Sequence, residues 1–158
     1  KLALLIADKV GVSKKEAEHI ASISLGRPGI ALRLLKDSEY RAQREMATSG
    51  FLELMEEKLP ERLHRISIML PKAEVNKATV VEEVLNGWEL MARDILLHTI
   101  QQPAFVVSKN ETDRLRQISQ RINSNKACAI LKRISNARQA LKSNINPQLA
   151  LEHVVIHI

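Results

Sequence analysis

Aromatic residues are scarce in this chain: one Trp, one Tyr and two Phe in 158 residues. Its interior must therefore be aliphatic, built from Leu, Ile, Val, Ala and Met. Glycine and proline number five each, too few turn-formers for a β-sandwich, barrel or propeller. A single cysteine, Cys128, excludes an internal disulfide and a multi-cysteine zinc site, and it fits a reducing cytoplasm. No apolar run is long enough to cross a bilayer. The opening KLALLIADKVG is broken by Asp8 and carries no signal-peptide cleavage pattern. It begins without Met and reads as a helix entered midway, so a fragment of a larger chain is expected.

Chemical signatures are also missing. There is no GxxxxGK[ST] or GxGxxG phosphate loop and no GxSxG nucleophile elbow. His153 and His157 have the i, i+4 spacing of a helical metal site, but the preceding residue pattern is not HExxH and no third ligand lies nearby, so surface or partly buried histidines are expected. His19, His64 and His98 are isolated. Cys128, between Ala127 and Ala129, reads as a small buried residue rather than a nucleophile. Glu56-Glu57 and Glu82-Glu83 are sequence neighbours that do not share a helix face, so paired acid/base catalysis has no support.

What is present is helical periodicity and an uneven charge. Hydrophobic residues make up 45% of the chain and the net charge is +6. Nine basic residues between Lys109 and Lys142, including Arg114, Arg116, Arg121, Arg133 and Arg138, face only Glu111 and Asp113, a surplus of seven. Such a block can be a solvated helix face, or it can attract phosphates or an acidic partner.

Leu2, Leu5 and Ile6 open a first helix ending at Gly11. Ser13 with Glu16 forms a capping box for a second, with Ala17, Ile20 and Ala21 inward and Gly26 as its stop. Gly26-Arg27-Pro28-Gly29 makes a sharp corner, with Pro28 in the first turn of a helix whose stripe is Ile30, Ala31, Leu34 and Leu35. Asp37 or Ser38 caps the next helix, which runs to about Lys58 with Met46, Phe51, Leu52, Leu54 and Met55 apolar and Gly50 as a weak point. Pro60 begins a helix with Leu63, Ile66, Ile68 and Leu70, ended near Pro71.

A long helix from about Asn76 to Gln101 carries two apolar stripes, running from Val80 through Trp88 to Ile100, which predicts a central position. Pro103 ends it, and residues 104–108 read as an extended connector packed through Phe105. Thr112 is expected to cap a helix with Leu115, Ile118 and Ile122. Asn123-Ser124-Asn125 makes a turn before a helix with Ala127, Ile130, Leu131, Ile134, Ala137 and Leu141 inward. Asn146 as N-cap and Pro147 as first residue start the last helix, with Leu149, Leu151, Val154, Val155 and Ile158 apolar. Arg93-Asp94 reads equally as a local ion pair and as an interface element. The expected boundary between units lies at Lys36 to Ser38. An all-α, basic chain of this kind suits an assembly module of a larger machine or a stand-alone helical nucleic-acid binder.

Three motifs together resemble the C-terminal part of bacterial clamp-loader subunits, with delta prime of DNA polymerase III as the nearest likeness. They are the corner Ala21-Ser22-Ile23-Ser24-Leu25-Gly26-Arg27-Pro28-Gly29-Ile30-Ala31-Leu32; Trp88 with Arg93-Asp94-Ile95-Leu96; and Leu141 with Asn144-Ile145-Asn146-Pro147-Gln148-Leu149-Ala150-Leu151-Glu152. The resemblance covers nearly the whole chain. It implies an all-α architecture: residues 1–37 as the end of a three-helix AAA+ lid, and residues 38–158 as a helical collar that assembles subunits into a ring.

The resemblance further implies no catalytic, cofactor or metal site in this fragment, ATP and Mg acting elsewhere in the complex. Implied partners are the gamma/tau and delta subunits and, through the complex, a sliding clamp on primed DNA in the cytoplasm; no membrane is involved. ATP-hydrolysing relatives read Gly-x-x-Arg-Asp-Ala-Leu at the corner. Here Gly29 stands at the Arg position and Ile30 at the Asp position, with Arg27 two residues earlier. Glycine offers no charge-assisted bond to a phosphate, which favours delta prime over a gamma/tau-like ATPase. Trp88→Ala is expected to unfold the domain, whereas charge reversal at Arg114, Arg133 or Arg138 is expected to leave folding intact.

Overall fold

A computed structural model describes residues 3, 11–24, 27–70 and 77–158, without the side chains of His19 and Ser22. Gly26, Pro71 and the expected first helix with Leu2, Leu5 and Ile6 lie outside the described residues. Among those described there are eight α-helices, two short 3-10 turns and no strand. The all-α expectation holds. The helices are α1 Lys14–Ile23, α2 Pro28–Lys36, α3 Ser38–Glu56, α4 Leu59–Met69, α5 Lys77–Thr99, α6 Thr112–Ser119, α7 Ser124–Lys142 and α8 Pro147–Val155. The 3-10 turns are Pro103–Phe105 and Lys109–Glu111.

The chain divides into two units, 1–45 and 46–158. The division falls inside α3, eight residues beyond the expected boundary after residue 37. That earlier position is a helix cap: Asp37 Oδ1 accepts the Tyr40 N–H at 2.8 Å. In the first unit, Ser13 Oγ accepts the Glu16 N–H at 3.2 Å, half of the anticipated capping box. Ala17 and Ile20 of α1 then pack with Ala31 and Leu34 of α2 and with Tyr40 in a small core. Arg41 closes it by donating from Nε and Nη2 to the Leu34 carbonyl at 2.9 and 2.8 Å.

The second unit holds the larger core. α5 lies against α6, α7, α8 and the Pro103 turn, the central position its two stripes predict. Val81, Leu85, Trp88, Met91, Ala92 and Ile95 are all buried along it. Trp88 stacks obliquely on Phe51 of α3, with ring centroids 5.6 Å apart. Burying each large side chain of this kind contributes about 1.5–3 kcal/mol.

Several apolar residues assigned inward face solvent instead. Met46 is 70% exposed, and Ile68, Ile100 and Leu149 are exposed as well. Each lies on the outer edge of a stripe wider than the neighbour covering it; Ala47 and Ile66, for example, take the buried positions nearby. Cys128 is exposed rather than buried, because Ala127 and Ile130 occupy the inward face of α7. The 104–108 connector is a 3-10 turn followed by a bend, and Phe105 is 63% exposed; Val106 is the residue that packs inward. Thr112 does not cap α6. It is the first helical residue, and its hydroxyl donates to the Lys109 carbonyl at 2.7 Å. Helix α7 starts at Ser124, inside the expected turn, because Asn123 caps it by accepting the Lys126 N–H at 2.8 Å.

Candidate interaction surface

At the corner before α2, Arg27 is the N-cap residue in extended conformation, and its side chain makes no capping bond. Pro28 takes the first helical position, as its missing N–H favours. Arg27, Pro28 and Gly29 are all exposed. Gly29 has a helical backbone with nothing within 4 Å of an added β-carbon, so the position has room for a side chain and the chain simply lacks a basic one there.

Trp88, Arg93 and Asp94 share α5 but not a role. Trp88 has no solvent exposure, so it packs the core. Asp94 is equally buried, and its carboxylate accepts the backbone N–H of Val107 at 3.1 Å and of Ser108 at 2.9 Å. Arg93, partly exposed, lies 3.3 Å from it. Asp94 thus holds the connector between α5 and α6: it supplies the charged acceptor that two amides, left unpaired by an irregular chain, require.

The basic segment is less free than its composition suggests. Arg138 of α7 lies 2.9 Å from Glu82 and 2.9 Å from Glu89, both on α5, and also donates to Asn86 Oδ1 at 3.2 Å. Burial works against the Arg138 charge, but the two glutamates outweigh it and raise its pKa. Arg114 of α6 bonds Glu56 of α3 at 2.9 Å and approaches Glu111 at 3.9 Å. These two arginines clamp helices together. Arg116, Arg121 and Arg133 make no ion pair among the described residues and remain available to a partner.

Two further arginines, not singled out in the sequence, have the same clamping role. Arg62 of α4 donates to the carbonyls of Leu54 at 2.7 Å, Val155 at 3.2 Å and Ile158 at 2.9 Å. Burial pulls its guanidinium pKa down, with Glu57 opposing. Arg65 binds Glu57 closely and Glu53 at 2.7 Å. The only hint of either in the sequence is an arginine beside an apolar stripe, a pattern shared with ordinary surface arginines.

The second corner is built as its residues dictate. Asn144 adopts φ 58°, and the Ile145 and Asn144 N–H groups donate to Ala140 and Leu141 carbonyls at 3.1 Å each, a Schellman ending to α7. Asn146 Oδ1 then accepts the Gln148 N–H at 2.8 Å, and Pro147 begins α8. The reversal leaves an open groove of about 360 Å³ between α7 and α8, lined by Asn136, Ala137, Ala140, Ile145, Leu149 and His153 among others. His153 and His157 are both exposed, with ring centroids 5.3 Å apart. Among the described residues no cluster of three or more His, Cys, Asp or Glu is placed to hold a metal ion, and no helix is long and apolar enough to cross a membrane.

Residues 89–158 match the family model described as DNA polymerase III, delta subunit, C terminal. The matched region begins one residue after Trp88 and takes in the rest of α5, the Asp94 clamp, the basic segment and the α7–α8 groove. The match spans 70 of the 158 residues, and the model is named for the delta subunit rather than delta prime. No curated protein and no solved structure matches the chain.

Proposed function

We propose that this chain is a non-catalytic assembly region of a DNA polymerase III clamp loader, of the delta prime kind, helping to form the subunit ring that loads a sliding clamp on primed DNA in the cytoplasm. The observation that carries the clamp-loader assembly part of the reading is the family match over residues 89–158, the greater part of the larger helical unit, to a model named for the delta subunit. In this reading residues 38–158 are the collar and residues 1–37 the end of an AAA+ lid. The exposed corner supports delta prime over a gamma/tau-like ATPase: Gly29 stands where a phosphate-sensing arginine would be needed, in a position with room for one. ATP and Mg then act on other parts of the complex, and the partners are the gamma/tau and delta subunits.

The test is co-purification. The chain, mixed with gamma/tau and delta subunits, is expected to be retained in a stoichiometric complex while binding no ATP by itself in calorimetry. Failure to be retained by any loader subunit would overturn the assembly reading; saturable Mg²⁺-dependent ATP binding would overturn the non-ATPase part. A stand-alone nucleic-acid binder would instead leave a footprint on a defined sequence that persists at physiological salt.

A further inference from the structure

The end of α8 brings two imidazoles together in the open. His153 lies on the helix and His157 in the turn that ends it. Helical bonding continues between them: the Ile156 N–H donates to the Glu152 carbonyl at 3.0 Å and the His157 N–H to the Val154 carbonyl at 3.2 Å. Residues four apart therefore stay on one face. Ala150, Leu151, Val154 and Val155 fill the buried side of α8, which leaves both histidines exposed.

The ring centroids are 5.3 Å apart and the ring planes are inclined at 75°. This spacing is close to what a shared metal ion requires. An imidazole nitrogen binds zinc at about 2.0–2.1 Å, which puts the ion about 3.2 Å from the ring centre; two such rings at a tetrahedral angle have their centres about 5.2 Å apart. The pair thus has the chelating separation already, and chelation asks for reorientation of the rings rather than movement of the backbone. Plain ring-on-ring packing spans the same range of separations, but it predicts no response to metal.

We infer that His153 and His157 form a binding site for one divalent cation of the class that prefers nitrogen ligands: zinc, nickel or copper rather than magnesium or calcium. Among the described residues no third His, Cys, Asp or Glu is placed with them. Glu152 adjoins His153 in the chain, but its carboxylate accepts from Gln148 Nε2 at 2.7 Å, one turn back along α8. Two protein ligands are fewer than a resident zinc centre uses, so the cation is held exchangeably and water fills the remaining positions. His153 lines the α7–α8 groove of about 360 Å³, which leaves space beside its ring for that water. The inference goes beyond the assembly reading and does not depend on it.

The experiment uses the whole chain, stripped of metal and isotopically labelled for NMR, titrated with zinc and separately with magnesium. Zinc is expected to bind saturably at one ion per chain and to shift the His153 and His157 imidazole resonances together. Magnesium is expected to leave them in place. His153→Ala, and separately His157→Ala, is expected to weaken zinc binding at least about tenfold. Both side chains are exposed, so the metal-free melt of each variant is expected to match the parent. Zinc is expected to raise the melting temperature of the parent and not of the variants, because binding favours the folded state. His64→Ala removes an exposed, isolated histidine and is expected to change nothing.

No saturation below about 1 mM zinc, or equal shifts with magnesium, would overturn the proposal. So would zinc binding that survives both alanine variants, or that is lost on Cys128→Ser instead. One zinc per two chains, with a dimer in sedimentation, would overturn the single-chain site and assign the histidines to a contact between copies.

Discussion

Gly87 faces Ala47 so closely that a β-carbon added at Gly87 would lie 2.8 Å from the Ala47 β-carbon and 3.4 Å from its carbonyl carbon. The close approach of α3 to α5 depends on that missing methyl group. Gly50, one turn further along α3, is different: an added β-carbon meets nothing within 4 Å. Gly87→Ala is therefore expected to destabilise the fold by about 1–3 kcal/mol through overpacking. Gly50→Ala is expected to stabilise it by about 0.5–1 kcal/mol, since a helix interior favours alanine. Urea unfolding of the two variants beside the parent checks both signs.

Asp94 is the side chain on which the α5–α6 connector depends. Asp94→Ala leaves the Val107 and Ser108 amides without their charged acceptor, and hydrogen bonds to a charged group contribute about 1.5–3 kcal/mol each. A loss of at least 2 kcal/mol is expected, with hydrogen exchange at Val107 and Ser108 accelerated beyond what the global loss explains. Asp94→Asn retains an acceptor and is expected to fall between the two.

Charge reversal separates the clamping arginines from the free ones. Reversal at Arg138 puts a carboxylate between Glu82 and Glu89, contrary to the expectation that this position tolerates it. Arg138→Glu is expected to cost about 2 kcal/mol or more, and Arg114→Glu a smaller amount because its pair with Glu56 is more open to solvent. Arg133→Glu is expected to stay within about 0.5 kcal/mol of the parent. Thermal melts of the three variants rank them.

The Glu57–Arg65 pair predicts an acid-sensitive contribution. The hydrogen bond from Arg65 holds the Glu57 carboxyl below its ordinary value of 4.5, with burial opposing and the charges of Arg65 and Arg62 adding to the lowering. The folded state therefore binds the proton more weakly than the unfolded chain. The stabilisation is complete above the unfolded carboxylate range and is lost as pH falls through the lower folded value. Glu57→Gln is expected to be less stable than the parent at neutral pH, with the gap closing as pH falls through the lowered folded value. Melting temperature against pH for the two proteins reads this directly.

Local order was legible in the residues themselves. Ser13, Asp37, Asn146, Pro28 and Pro147 act where their side chains and fixed φ angles dictate, because capping and proline effects need only neighbours in sequence. The doubled stripe on α5 announced its central position, since a helix apolar on two sides must meet more than one partner. Tertiary packing decided the rest. Periodicity marks which face of a helix is apolar but not how much of it a neighbour covers, so Met46, Ile68, Phe105 and Leu149 lie outside while Val106 and Ala47 lie inside. Nor does a sequence distinguish an arginine in water from one between two glutamates of another helix: Arg133 and Arg138 look alike in the chain, and only the packing of α7 on α5 makes Arg138 a clamp and leaves Arg133 without an ion pair among the described residues. The charge of each was written in the residue; its partner, and with it its role, came from chain segments brought together by burial of the aliphatic core.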